Sequence, residues 1–144
     1  MTRSTLRCGG ALAVMLLLGA GPAPTGVDLT VENLRNARGI LQLCVTSDAS
    51  YFPDCKGDPS AISRSVAASE PSATFSLPPG RYAISLIHDE NGNGKLDTTL
   101  GIPREGFAFS RNPKIRFGPP RFDEASFQVG NNRTGQTLRV RYLL

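Results

Sequence analysis

Apolar and polar residues alternate with a period of two along most of this chain. Val27, Leu29 and Val31 are separated by Asp28 and Thr30 and followed by Glu32; Leu41, Leu43 and Val45 are interleaved with Gln42 and Thr46, and Leu138, Val140 and Tyr142 with Arg139 and Arg141. That spacing is the signature of strands with one buried face. Residues 62–67, 73–77, 82–88, 106–110 and 122–129 read as further strands, set apart by turns such as Pro78-Pro79-Gly80 and Gly118-Pro119-Pro120. No stretch has the spacing of a long amphipathic helix, although Phe122-Asp123-Glu124-Ala125 can make one turn. Seven or eight short strands with frequent Gly and Pro predict an all-β fold, an antiparallel β-sandwich. Neither a repeat nor a low-complexity tract suggests a second domain.

The first residues break this pattern. Arg3 and Arg7 precede the apolar run from Ala11 to Ala20, and Gly21-Pro22-Ala23-Pro24 follows it. Charged, apolar and small residues in that order read as a secretory signal peptide over residues 1–25. The run is too short to span a bilayer, and Cys8 lies before it, not at its end as a lipoprotein signal requires. The expectation is a leader followed by one β-sandwich domain over residues 26–144, exported to the periplasm or secreted.

Export changes the meaning of the cysteines. Loss of the leader removes Cys8 and leaves Cys44 and Cys55, which in an oxidising compartment are expected to form a disulfide. It also removes Arg3 and Arg7, leaving 14 basic against 12 acidic residues. So small an excess argues against a nucleic-acid partner. The basic group Arg104, Arg111, Lys114, Arg116 and Arg121 lacks the aromatic interleaving and helical context of such an interface, and reads as a solvated rim, with an anionic surface partner as the lesser alternative. About 120 residues suffice for a single core.

One polar segment is too regular to be an ordinary turn. In His88-Asp89-Glu90-Asn91-Gly92-Asn93-Gly94-Lys95-Leu96-Asp97, the residues Asp89, Asn91, Asn93 and Asp97 occupy positions 1, 3, 5 and 9 of a loop with Gly94 at position 6. Calcium takes six to eight oxygen ligands, and oxygen-bearing side chains at alternate residues around a glycine turn can wrap one point. The predicted ligands are the side chains of Asp89, Asn91, Asn93 and Asp97 and the carbonyl of Lys95. Gly94 should take the left-handed conformation, Glu90 should point outward, and Glu105 is a further candidate ligand from the next segment. A helix-loop-helix hand is disfavoured, because its position 12 demands Glu and Leu100 stands there. The competing reading is a metal-free Asn-Gly hairpin.

Three linked motifs carry a family resemblance. Leu77-Pro78-Pro79-Gly80-Arg81-Tyr82-Ala83-Ile84, the acidic loop 88–97, and Gly101-Ile102-Pro103-Arg104-Glu105-Gly106-Phe107-Ala108-Phe109-Ser110 resemble, in this order, the bacterial domain of unknown function 2141 family. The resemblance implies an exported bacterial domain with no established biochemical activity. Locally, the strand, Pro-Pro-Gly turn, strand and acidic loop also resemble the prealbumin-like calcium-binding B domains of bacterial surface adhesins, which implies a prealbumin-like or immunoglobulin-like sandwich. Asn93 and Leu100 depart from that adhesin pattern and point to weak calcium affinity.

Catalysis has little to stand on. His88 is the only histidine, no nucleophile elbow occurs, and a serine triad would need Ser85 or Ser110 brought to His88 by folding. The paired histidines and Tyr-Arg-Gly-Ser ending of the prealbumin-like hydrolase of purine breakdown are absent from a chain that ends Arg139-Val140-Arg141-Tyr142-Leu143-Leu144. Spacing singles out no carboxylate pair among Glu105, Asp123 and Glu124. The expected function is a non-catalytic, calcium-binding envelope or secreted module that binds a protein or glycan. The alternative is a small-ligand carrier or envelope hydrolase with a pocket near His88.

Overall fold

The computed structural model describes residues 25–144, so the leader expected over residues 1–25, Thr25 apart, and Cys8 lie outside the described residues. The described chain runs β1 (Gly26–Glu32), β2 (Ile40–Thr46), a 3-10 turn (Ala49–Tyr51), β3 (Ile62–Ala67), β4 (Ser72–Ser76), β5 (Gly80–Asp89), β6 (Thr98–Thr99), β7 (Ile102–Pro103), β8 (Gly106–Phe109), α1 (Phe122–Ala125), β9 (Phe127–Val129) and β10 (Arg133–Arg139). One sheet has the order β10-β1-β4, the other β3-β2-β5-β8 with β9 also on β5, and β6 and β7 form a small hairpin. None of the described helices is long and apolar enough to cross a membrane.

Alternation decides which faces meet. On β1, Val27, Leu29 and Val31 are buried while Asp28, Thr30 and Glu32 are exposed. On β2, Leu41, Leu43 and Val45 stand opposite His88, Leu86 and Ile84 of β5, and these residues share the inner face. Ala68, Phe75, Leu77, Ala108, Phe127, Val129, Leu138 and Val140 complete this main core.

The outer face of the larger sheet is covered as well. Ala83, Phe107, Phe109, Phe122 and Ala125 form a second buried cluster, packed by Phe52 and Ile115. Phe52 meets Phe109 and Phe122 edge-on at 5.8 and 6.1 Å between ring centroids, the arrangement aromatic quadrupoles favour. Phe52 belongs to the excursion between β2 and β3, which the Cys44–Cys55 disulfide ties down with alpha carbons 6.2 Å apart.

The last strand departs from expectation. It runs from Arg133 to Arg139, earlier than the alternation of Leu138, Val140 and Tyr142 suggested, and it pairs with β1 in parallel. As an edge strand it buries little beyond Leu138, so its polar first half carries no hydrophobic signal. Phe122–Ala125 takes its single helical turn, which shortens β9 to three residues.

Phe109→Ala should cost about 3 kcal/mol or more in denaturant unfolding, as core Phe truncations do; an unchanged midpoint would mean that the aromatic cluster contributes nothing. Thiol labelling of the denatured, unreduced full chain should find only Cys8, and three thiols after reduction.

Candidate metal centre

β5 delivers the loop and the main core fixes where it starts. His88, fully buried, faces inward; Asp89, also fully buried, ends the strand on the opposite face. Gly39 packs its backbone against this point, and a Cβ there would lie 2.1 Å from the Asp89 carbonyl oxygen.

Asp89 organises the turn. Its Oδ1 accepts the N–H groups of Gly92 (2.7 Å) and Asn93 (3.1 Å), and its Oδ2 accepts those of Gly94 (2.8 Å) and the Gln42 side chain (2.7 Å). Asn91 Oδ1 then accepts the N–H of Asn93, and Asn93 Oδ1 that of Lys95. Gly92 and Gly94 have φ of 71° and 79°, the left-handed region that glycine enters without penalty. Asp97 closes the ring, accepting from the side-chain amides of Asn91 (2.7 Å) and Asn93 (2.8 and 2.9 Å). The four predicted side chains therefore converge on one turn. Lys95 lies within it, contributing its N–H to Asn93.

Glu105 does more than the sequence suggested. It is buried, and its Oε1 accepts the Glu90 N–H (3.1 Å) while its Oε2 accepts the Asp97 N–H (3.0 Å). One carboxylate thus staples the beginning of the loop to its end. No local pattern announces this, because the two N–H groups lie 15 and 8 residues away in sequence.

Glu90 corrects an expectation. Its side chain does not point into solvent but is 13 % exposed, held by Arg35 and by Asn36 (2.7 Å). Burial pushes its carboxyl up, but hydrogen bonds from Asn36 and Arg35 outweigh this and hold it below the ordinary value. Arg35 also stacks on the Tyr142 ring, 4.5 Å from its centroid, and donates to the Arg104 carbonyl.

Tyr142 leads to the histidine. The Arg35 N–H donates to the Tyr142 hydroxyl, and that oxygen lies 2.7 Å from His88 Nδ1, while His88 Nε2 lies 2.8 Å from the Arg38 carbonyl. A carbonyl only accepts, so Nε2 carries a proton and, in the neutral ring, Nδ1 accepts from Tyr142. Both ring nitrogens are engaged and the side chain is inaccessible. A polar cleft of about 200 Å³ opens beside the loop instead, lined by Arg35, Glu90, Asn91, Asp97, Arg104 and Glu105.

Among the described residues, no three His, Cys, Asp or Glu side chains come together closely enough to hold a metal ion. Amide and carbonyl oxygens would have to complete any coordination sphere here.

A family model described as "Uncharacterized protein conserved in bacteria (DUF2141)" matches residues 29–137, from within β1 to within β10. The chain belongs to this family. The DUF2141 match encloses the whole loop, the Glu105 staple and the larger sheet. No curated protein and no solved structure matches the chain.

Glu105→Gln leaves one loop N–H facing an NH2 donor instead of an acceptor oxygen, a loss of about 1 to 3 kcal/mol for a buried group. Hydrogen exchange at Glu90 and Asp97 should accelerate accordingly; unchanged protection would show that the staple is dispensable. Hydrogen bonds from Asn93 and Asn91 hold the Asp97 carboxyl below its ordinary value. A carboxyl lowered in the fold contributes stability that is full above its unfolded pKa, about 3.9, and is lost as pH falls through the lower folded value. Protection factors across the loop should therefore hold down to that range and fall below it, and in Asp97→Asn the part of this acid-side loss that Asp97 carries should be gone.

Proposed function

We propose that this chain is an exported, calcium-binding, non-catalytic β-sandwich module of the bacterial cell envelope or secreted milieu, which binds a protein or glycan partner through its loops and sheet edge. The observation that carries the reading is the convergence of Asp89, Asn91, Asn93 and Asp97 on one glycine-turned loop that the buried Glu105 holds closed. Oxygen donors of mixed charge suit a hard cation that tolerates irregular coordination. Side-chain oxygens of these four residues and the Lys95 carbonyl would hold the ion, which would supply fixed positive charge to a turn rich in carboxylates.

The donor set fits, on one condition. The amide nitrogens of Asn91 and Asn93 now face Asp97, while their oxygens accept backbone N–H groups at the second residue on. Calcium entry requires both amides to turn, giving up their three bonds to Asp97 and the two that their oxygens accept, each about 1 kcal/mol net, for coordination. This cost, with only two loop carboxylates, supports a dissociation constant in the range of extracellular modules, roughly 0.1 to 1 mM. Export is supported by the leader-like sequence and the disulfide.

The alternative carrier or hydrolase would need a pocket reaching His88. The engaged ring nitrogens of His88 and the position of the cleft beside the loop favour the calcium-binding module.

At 1 mM calcium and a constant of about 0.1 mM, linkage adds about 1.4 kcal/mol, or roughly 4 to 8 °C in Tm. Calorimetry in calcium and in chelator should show this rise for the wild type and none for Asp97→Ala, with magnesium substituting poorly. Asp89→Ala removes a buried carboxylate that accepts four hydrogen bonds and should destabilise the protein even in chelator. Identical wild-type melts in calcium and chelator would leave the loop a metal-free hydrogen-bonded turn.

A further inference from the structure

Residues 111–121 leave the larger sheet between β8 and β9 as a loop fixed at both ends and free at its tip. At the entry, the Ser110 N–H donates to the Ile84 carbonyl, and the buried Ser110 hydroxyl accepts the Ile84 N–H and donates to the Ala125 carbonyl. Asn112 grips the neighbouring sheet: its Nδ2 donates to the Thr137 carbonyl and its Oδ1 accepts the Arg139 N–H, both at 2.8 Å. At the exit, Phe122 and Ala125 are buried in the aromatic cluster, with Ile115 packed against it from the loop itself.

The tip is built differently. Phe117 is fully exposed, in a segment where every charged residue is basic: Arg111, Lys114, Arg116 and Arg121. Lys114, Arg116 and Arg121 are exposed, and Arg141 stands at the loop's base. The nearest acid in sequence, Asp123, is engaged by Arg81 at 2.9 Å, and Glu124 lies 3.8 Å from Arg121. A short loop with anchored ends presents its tip in a fixed direction at little ordering cost on binding. A lone aromatic ring projecting among cations needs a partner that is apolar where the ring enters and anionic around it. The interfacial zone of an anionic bilayer supplies both at the matching depth.

We infer that the Arg111–Arg121 loop docks the protein on anionic lipid, with Phe117 entering the acyl boundary and Lys114, Arg116 and Arg121 on the headgroup phosphates. This docking is independent of calcium, since the acidic loop leaves β5 at Asp89, whereas Ser110 is held further back at Ile84.

The chain contains no tryptophan, so Phe117→Trp in the full chain introduces a single fluorophore at the tip. Phosphatidylglycerol vesicles should shift its emission to the blue, lipids brominated on the acyl chain should quench it, and phosphatidylcholine vesicles should do neither. Lys114→Gln with Arg116→Gln should weaken the partition by about 25-fold, about fivefold per cation. The apolar run at residues 11–20 can tether the chain to vesicles, but bromine quenching reads the position of residue 117 alone. Unshifted emission on phosphatidylglycerol overturns the inference. So does an equal response to heparin without bromine quenching, which would make the loop a polyanion site. An unchanged melting curve for Phe117→Trp verifies that the variant is folded.

Discussion

Asp89 ends the longest strand fully buried, and a buried carboxylate is tolerable only when its oxygens are supplied with hydrogen bonds. Three of its four donors are backbone N–H groups of Gly92, Asn93 and Gly94, and no extended chain can offer three such groups to one side chain. The chain must curl immediately after β5, and the left-handed glycines permit it. The rest of the loop follows: once curled, Asn91 and Asn93 lie across from Asp97, and Glu105 can span the two ends. A charge requirement at one residue thereby becomes a local fold.

That requirement is anchored in the two-sided burial of β5. Ile84, Leu86 and His88 face the main core, while Ala83 lies in the aromatic cluster on the other face. A strand covered on both faces has little freedom to slip in register, because a one-residue shift would exchange apolar residues for Ser85 and Asp89. The Cys44–Cys55 disulfide and Phe52 hold the outer cover in place. Position thus passes from core packing to strand register, and from register to the site of the loop.

Much of this could be read directly from the residues. Period-two alternation located β1 and β2, the runs between turns located β3, β4 and β5 closely, and the oxygen spacing from Asp89 to Asp97 found the turn. Illegible features were those whose cause lies across the fold. The parallel β1–β10 pair joins residues over 100 apart, and the polar first half of β10 has no alternation to reveal it. Glu90 looks like any solvated glutamate until the fold brings Arg35 and Asn36 to it. The acceptor role of Glu105 depends on two backbone groups that only the closed loop aligns.

We propose that the turn from Asp89 to Asp97 admits calcium by rotating the Asn91 and Asn93 amides. NMR detection of these two side-chain NH2 groups during a calcium titration addresses it directly, since both now donate to Asp97. If the amides rotate, both signals should move together, saturating at roughly 0.1 to 1 mM calcium, with the Gly92 and Gly94 amides following and the aromatic cluster unaffected. Side-chain amide signals that stay fixed through millimolar calcium would contradict it.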